Sequence, residues 1–460
     1  MQISIIFNLL LAFVTVANGA THKRLLGNSG NPDFPDPNVD PFYKVPSSVA
    51  SYQKGDVISS REVPTTINQS YYDKSYQILY KTQNSQNEGD ATVATVWTPK
   101  KPKSESTVFS WQVFEDSTQL NCNPSWAFIN KSKSANTITT SVDAPFYIQW
   151  ALEQGYYVVA PDHLGSNSAF IAGFQEGYAV LDGIRATIKF NKLSQSSKVA
   201  IAGYSGGAHA TAWAANLADK YAPELNIVGA VHGGTPVDTR GIYNYLLGGL
   251  FSGFAGAGLS GLTRAYDELN TYVQSIVTEQ GRKDLQKVAS PNTCLLQIVT
   301  GFAFKNFSAE TTLKSDPLNE PIPKKYLARE SLLSNVSSVG VNVPKFPTFQ
   351  FHASLDEVVP RDQHEQFIQQ QCSKGAKIQY HVLPIQDHVA GVAFSIPGGI
   401  KALEQIYAGT LDTSKCGSPD LKTNIVSPDS EQAEQILGSD AVAKLRSFNG
   451  KQTEMGKIAW

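Results

Sequence analysis

The segment Gly203-Tyr204-Ser205-Gly206-Gly207 constrains this chain more than any other stretch, lying between an apolar run over 198–202 and an alanine-rich stretch that reaches Lys220. An apolar run closed by Gly-x-Ser-x-Gly and followed by small helix formers reads as a strand, a sharp turn and a helix, with the serine held at the apex. Glycines on either side suit a strained backbone where strand and helix approach too closely for a Cβ. A bare match of this kind arises by chance in roughly one such chain in five, so the pattern alone decides little. The context decides. Ala208, Ala210, Ala212, Ala214 and Ala215 follow the serine, and small side chains of good helix propensity are what a helix packed tightly on a sheet needs.

Around this elbow the chain alternates. Residues 76–81 and 92–97, joined by a polar stretch, read as an antiparallel hairpin. Short apolar runs at 108–113 and 156–160 have the uninterrupted character of strands covered on both faces, and helical periodicity fills 175–193 before the elbow strand. Further strands are expected at 227–232, 348–352 and 378–383, and a helix over 399–408. Repeated βα units imply an α/β fold with a mostly parallel central sheet. The long interval between the strands at 227–232 and 348–352 holds a glycine-rich stretch, 248–256, read as a place of bends and mobility, and helical periodicity over 263–288. The organisation expected is a signal peptide over 1–20, the first part of a core over 21–235, an inserted, mainly helical cap or lid over 236–340, and the second part of the core with a C-terminal tail over 341–460.

A serine hydroxyl is a poor nucleophile, so an elbow serine needs a histidine base, and that base needs a carboxylate to fix its tautomer and stabilise its charged form. In α/β-hydrolases the order along the chain is Ser, then Asp or Glu, then His, with acid and base after late strands. Two segments have that form. Residues 349–360 are a strand running into a loop that presents Asp356, with Pro360 opening a helix, and residues 378–388 are a strand followed by a loop ending at His388. Other histidines fit less well. His209 lies one helical turn after Ser205 and would point away from the attacked carbonyl; His352 and His381 sit within strand patterns and read as core residues; His364 belongs to a helix face; His22, His163 and His232 come too early or lie in other turns. Glu357 and Asp387 rival Asp356, but Asp387 adjoins His388, and neighbours on an extended loop diverge. Acyl transfer also needs donors aimed at the developing oxyanion. The main-chain N–H of Gly206 is one; the second is expected from the main-chain N–H of Asp116, in the turn over 114–117, its carboxylate not being used.

Residues 3–16 form an apolar segment of signal-peptide length, followed by the small residues Ala17-Asn18-Gly19-Ala20, and it is too short to span a membrane. Secretion suits an even number of cysteines, here Cys122, Cys294, Cys372 and Cys416. Three pairings are open; joining Cys122 to Cys294 and Cys372 to Cys416 is the one with a long and a short loop. Acceptor sequons for glycosylation begin at Asn68, Asn130, Asn306 and Asn335. A net charge of -2 and the lack of a basic block argue against nucleic acid or an anionic membrane held by charge. No Cys/His spacing resembles a metal site, and no cofactor is implied.

These residues together resemble the fungal secretory lipase family. The likeness rests on the elbow, the Glu115-Asp116-Ser117 turn, Asp356 in its Asp-Glu-Val-Val-Pro setting, His388 in Asp-His and the four cysteines, and it runs over nearly the whole mature chain. It implies a triad of Ser205, Asp356 and His388, oxyanion donors at Asp116 and Gly206, pairing of Cys122 with Cys294 and of Cys372 with Cys416, and a mostly helical cap on an α/β-hydrolase fold. It further implies a secreted, extracellular enzyme that hydrolyses triacylglycerol esters. The cap segment adds an apolar surface: Leu246, Leu247, Leu250, Phe251, Phe254, Leu259 and Leu262. Of these, Leu250, Phe251 and Phe254 are expected to line the substrate channel of a monomer that meets lipid esters at an oil–water interface. Three alternatives stand beside this one. A secreted carboxylesterase would act on shorter esters; a prolyl-oligopeptidase-like peptidase shares the elbow, but the region before it is too short for a propeller; a non-catalytic adhesion module on the same fold would usually have lost a triad residue.

Overall fold

A computed structural model of the protein describes residues 34–309, 314, 316–335 and 341–420, together with 433–435, 438–440 and 442–443. The expected signal peptide and most of the tail beyond 420 lie outside the described residues. The strands are β1 (Val57–Glu62), β2 (Tyr72–Gln83), β3 (Gly89–Pro99), β4 (Thr107–Gln112), β5 (Tyr157–Pro161), β6 (Lys198–Tyr204), β7 (Ile227–Gly233), β8 (Thr348–Ala353), β9 (Ile378–Leu383) and β10 (Pro419–Asp420). Among the described residues they form one sheet of 10 strands in the order β1-β2-β3-β5-β4-β6-β7-β8-β9-β10. The first three strands run antiparallel to one another, β3 is antiparallel to β5, and every pair from β5 to β10 is parallel. β5 and β6 are buried at every position after the first, which explains why their sequences lack polar alternation; β1, at the sheet edge, is half exposed.

Helices cover both faces: α1 (Ala144–Glu153), α2 (Gly173–Phe190), α3 (Gly206–Tyr221), α4 (Arg361–Cys372) and α5 (His388–Ala408). On one face α2 and α3 bury Val180, Leu181 and Trp213 against Val108 and Ile201, with Phe367 of α4 joining them. On the other, α1 and α5 bury Ile148, Ile396 and Leu403 against Phe109, Trp111 and Phe349. The alanines of α3 are all buried, so this helix lies close to the sheet as their size predicts. One helix boundary departs from expectation. α5 begins at His388 rather than near Gly399 and carries Pro397 in its interior. A mid-helix proline costs about 3 kcal/mol. Burial of Val392, Ala393, Ile396, Ile400 and Leu403 along one side of the helix offsets it, which propensity alone does not register.

Between β7 and β8 the chain makes a helical excursion through Thr239–Leu246, Gly253–Ala265, Asp267–Ile276, Glu279–Val288, Leu295–Gly301, Pro321–Arg329 and Leu332–Asn335. The continuous periodicity over 263–288 is therefore split. It breaks at Tyr266 and again before Thr278, whose hydroxyl accepts the Gly281 amide as an N-cap. The glycine-rich stretch is also more regular than expected, being helical from Gly253 onward. A Cβ at Gly256 would collide with the Phe307 ring and one at Gly261 with the main chain of Phe170, so these glycines serve close packing rather than bending. Disulfides join Cys122 to Cys294 and Cys372 to Cys416. The first ties the excursion to the segment after β4, a junction reinforced where Ser117 Oγ donates to the Thr293 carbonyl at 3.0 Å and Gln119 Nε2 to the Ala289 carbonyl at 2.6 Å.

Candidate active site

β6 ends at Tyr204 and α3 starts at Gly206, which leaves Ser205 alone at the turn. Its backbone sits at φ 53° and ψ -121°, a conformation that costs a residue with a side chain about 1–3 kcal/mol. Hydrogen bonds hold it there. The Ser205 amide donates to the Gly233 carbonyl at 3.0 Å, and the Ser205 carbonyl accepts the His209 amide at 2.9 Å as the first turn of α3. A Cβ at Gly207 would overlap the main chain of Gln112 in β4, and a Cβ at Gly206 would run into the Asp116 carboxyl. The elbow glycines are thus set by close approach to two different neighbours.

His388 is the first residue of α5, not the end of a loop, and Asp387 is its N-cap, accepting the Ala390 amide at 2.7 Å. The main chain of His388 is clamped on both sides: its N–H donates to Glu357 Oε2 at 2.7 Å, and its carbonyl accepts the Tyr204 hydroxyl at 2.8 Å. The side chain completes a line. Ser205 Oγ donates to His388 Nε2 at 2.8 Å, and His388 Nδ1–H donates to Asp356 Oδ2 at 2.8 Å. Asp356 Oδ1 accepts the amides of Val358 at 3.0 Å and Val359 at 2.7 Å, which fixes the carboxylate within the loop after β8. Ser205, Asp356 and His388 are 9%, 7% and 6% exposed, so the line is nearly dry and its hydrogen bonds gain strength from the low local dielectric.

The electrostatics follow from this packing. Burial works against a charge on His388, but the Asp356 carboxylate, its hydrogen bond, Glu357 and Asp116 outweigh it and raise the imidazole above its ordinary value. Burial likewise opposes ionisation of Asp356, yet His388 and a hydrogen bond from His352 hold its carboxyl well below the usual range. Burial pushes Glu357 up to about 7, aided by Asp387 and opposed by His388. Asp116, at φ 47°, is also pushed up to about 7 by burial, against the pull of His388.

Two apolar cavities open on this line. One, of about 1020 Å³ and partly open to solvent, runs from Asp116, Ser205 and Gly206 beneath the helical excursion, past Leu246, Phe254, Leu259 and Leu262. The second, of about 610 Å³, lies on the His388 side and is lined by Phe251 and Phe254 together with Leu295 and Val299. Phe254 borders both. Leu250 borders neither of these two and packs instead against the apolar cluster of the excursion. It was expected to line the channel; its i+4 neighbour Phe254 is the one turned inward.

The other sequence candidates sit apart. His209 is buried, bonded to Glu176 at 2.8 Å and receiving the Trp213 indole N–H at 3.0 Å; His163 meets the Val113 carbonyl at 2.9 Å, and His232 meets Thr235 Oγ1 at 2.9 Å. His352 is a core residue, as expected, and in addition it touches Asp356, with Nε2 3.1 Å from Oδ2. Its i,i+4 spacing from Asp356 at a strand end was the available signal. Among the sequons, Asn68 and Asn130 are exposed, Asn306 is half-buried with its side-chain oxygen accepting the Ser308 and Ala309 amides, and the Asn335 side chain lies outside the described residues. No group of three or more His, Cys, Asp or Glu among the described residues is placed to hold a metal ion.

Comparison with known proteins agrees with this architecture. The secretory lipase family model matches residues 129–414. Lipase A of Moesziomyces aphidis is 44% identical over 425 residues, spanning 92% of this chain and 91% of that protein. A secreted triacylglycerol lipase of Malassezia furfur is 36% identical over 353 residues, 75% of this chain and 70% of its own. The crystal structure of Candida antarctica lipase A in its closed state superposes with a TM-score of 0.86 at 43% identity, covering 90% of this chain and 95% of that one.

Proposed function

The chain belongs to the secretory lipase family, and from that premise we propose that it is a secreted lipase, cleaving the carboxylic ester bonds of triacylglycerols through an acyl-serine intermediate. His388 Nε2 takes the Ser205 proton as Oγ attacks the ester carbonyl, and Asp356 holds the imidazole with Nε2 free to accept. The main-chain amides of Gly206 and Asp116 receive the oxyanion. His388 then protonates the departing alcohol, and water, activated by the same imidazole, releases the fatty acid. The single observation that carries this proposal is the hydrogen-bonded line from Asp356 through His388 to Ser205, opening on an apolar cavity of about 1020 Å³. A cavity lined by leucine and phenylalanine suits an acyl chain and offers nothing to a peptide's polar backbone.

Contact with an oil surface has its own support. Leu355 and Ile385, 61% and 82% exposed, sit beside the acid and the base, and half-exposed Tyr245 donates its hydroxyl to the Asp356 carbonyl at 2.8 Å. Exposed apolar side chains on the loops that carry the acid and the base favour adsorption to lipid. The cap over 236–340, the action as a monomer and the occupancy of the sequons belong to the same proposal. The test is hydrolysis of esters from butyrate to oleate, in solution and as emulsions. Activation by emulsion with long-chain turnover is expected; short-chain activity alone, indifferent to emulsion, would make the protein a carboxylesterase.

A further inference from the structure

Behind the acid of the catalytic line lies a buried group that the reaction as derived above does not use. His352, the next-to-last residue of β8, and His364, on α4, are both fully buried. Their Nδ1 atoms face each other at 2.8 Å. His352 Nε2 is 3.1 Å from Asp356 Oδ2 and 3.1 Å from the Val359 carbonyl oxygen, and His364 Nε2 meets Gln350 Oε1 at 3.0 Å. Both neighbours of His352 Nε2 are acceptors only, so that nitrogen carries a proton.

We propose that His352 is a positioning residue for the proposed lipase reaction, a second imidazole that donates Nε2–H to the same carboxylate oxygen that orients His388. The proposal rests on the Ser205–His388–Asp356 assignment. Oδ2 of Asp356 then divides its acceptor capacity between two imidazoles, while Oδ1 is held by two amides. The consequence is twofold. The carboxylate cannot rotate away from His388, and its basicity toward His388 is tempered, because a donor on an anion withdraws part of its charge. An aspartate stripped of this donor would pull harder on the His388 proton, so the base would hold its proton to higher pH.

Other groups face the same histidine and must stay constant in any test. Glu357 and Asp387 come from the loops after β8 and β9, Asp116 from the turn after β4, and the Tyr204 ring lies 5.1 Å from the His388 ring. His232, from β7, lies behind His364, with ring centroids 6.2 Å apart. Substitution at 352 leaves all of these in place.

The experiment is the pH profile of kcat/KM on a soluble ester for wild type, His352→Phe and His352→Gln, each normalised to sites titrated by a fluorophosphonate. The glutamine amide N–H stands close to where Nε2–H stood; phenylalanine has no donor. The acid limb is expected to move up by about 0.5–1 pH unit in His352→Phe, with kcat down about tenfold and KM within about twofold, and to stay within about 0.3 unit of wild type in His352→Gln. An unmoved limb in His352→Phe, or equal shifts in both variants, overturns the proposal. If His352→Phe does not fold, His352→Met supplies the donor-free comparison. Histidine-selective ¹⁵N NMR of the wild-type enzyme gives a second reading: a bare Nε2 on His352 between pH 6 and 9 overturns the proposal. Failure of the underlying assignment looks different, because Ser205→Ala would then keep its activity.

Discussion

Replacing Asp356 by asparagine should disable the enzyme while leaving its fold nearly untouched, and the hydrogen-bond geometry shows why. The carboxylate accepts three hydrogen bonds, from the Val358 and Val359 amides on Oδ1 and from His388 Nδ1–H on Oδ2, and His352 Nε2, 3.1 Å from Oδ2, is the proposed fourth donor. An asparagine offers one oxygen. If that oxygen stays on the two amides, its NH₂ group faces two imidazole N–H donors; turned round, the NH₂ group faces the two amides instead. The first arrangement is less costly, because the imidazoles can change tautomer and the amides cannot. His388 then carries its proton on Nε2, where it can no longer accept the one from Ser205. Loss of the correct tautomer is worth about 10³–10⁴ in kcat, or about 4–5.5 kcal/mol of barrier. The assay is kcat on a soluble ester across pH 6–10, with a thermal melt as the control for folding. A folded Asp356→Asn variant that keeps more than about a tenth of wild-type kcat would refute the role given to Asp356.

Gly206→Ala forces a Cβ against the Asp116 carboxyl and is expected to displace the oxyanion turn, lowering kcat by about 10²–10³ with KM little changed; steady-state kinetics on titrated enzyme check this. Leu259→Trp places a larger ring in the main cavity and should lower kcat/KM for oleate esters at least about tenfold relative to butyrate esters, whereas an unchanged chain-length profile would mean that acyl chains go elsewhere. Stability should fall as pH rises. Burial pushes Asp143 and Asp162, like Asp116 and Glu357, up to about 7, so between roughly pH 4 and 7 the folded chain holds protons that the unfolded chain releases. Scanning calorimetry should therefore give a Tm at pH 5 about 5 °C above that at pH 8, with a smaller difference in Asp143→Asn; a higher Tm at pH 8 contradicts the sign.

The sequence carries the sheet well because most of its strands are short apolar runs bounded by turn residues, and β6, β8 and β9 fall within a residue or two of where the runs place them. The start of α5 is harder to read. Pro397 and the glycines after it resemble a boundary, and only the buried face of the helix shows why it continues. The glycines of the excursion mislead for a related reason: Gly256 and Gly261 answer to Phe307 and Phe170, residues distant in sequence that local pattern cannot supply. At the site, chain order and residue type bring out Ser205, Asp356 and His388, since each follows a strand at the same edge of the sheet. The clamps around them are silent in sequence. Glu357 looks like a rival acid until it is found on the His388 amide, and Tyr204 looks like elbow filler until its hydroxyl meets the His388 carbonyl. His352 looks like core because it is core, and its contact with Asp356 comes from the turn that ends β8.

The most direct test of the central claim is covalent. Treatment with a fluorophosphonate bearing an alkyl chain, followed by peptide mass spectrometry, should place one adduct per chain on Ser205, with full loss of triacylglycerol hydrolysis, and neither adduct nor hydrolysis should be detectable in Ser205→Ala. An adduct at another residue, or hydrolysis that survives in Ser205→Ala, would contradict the account.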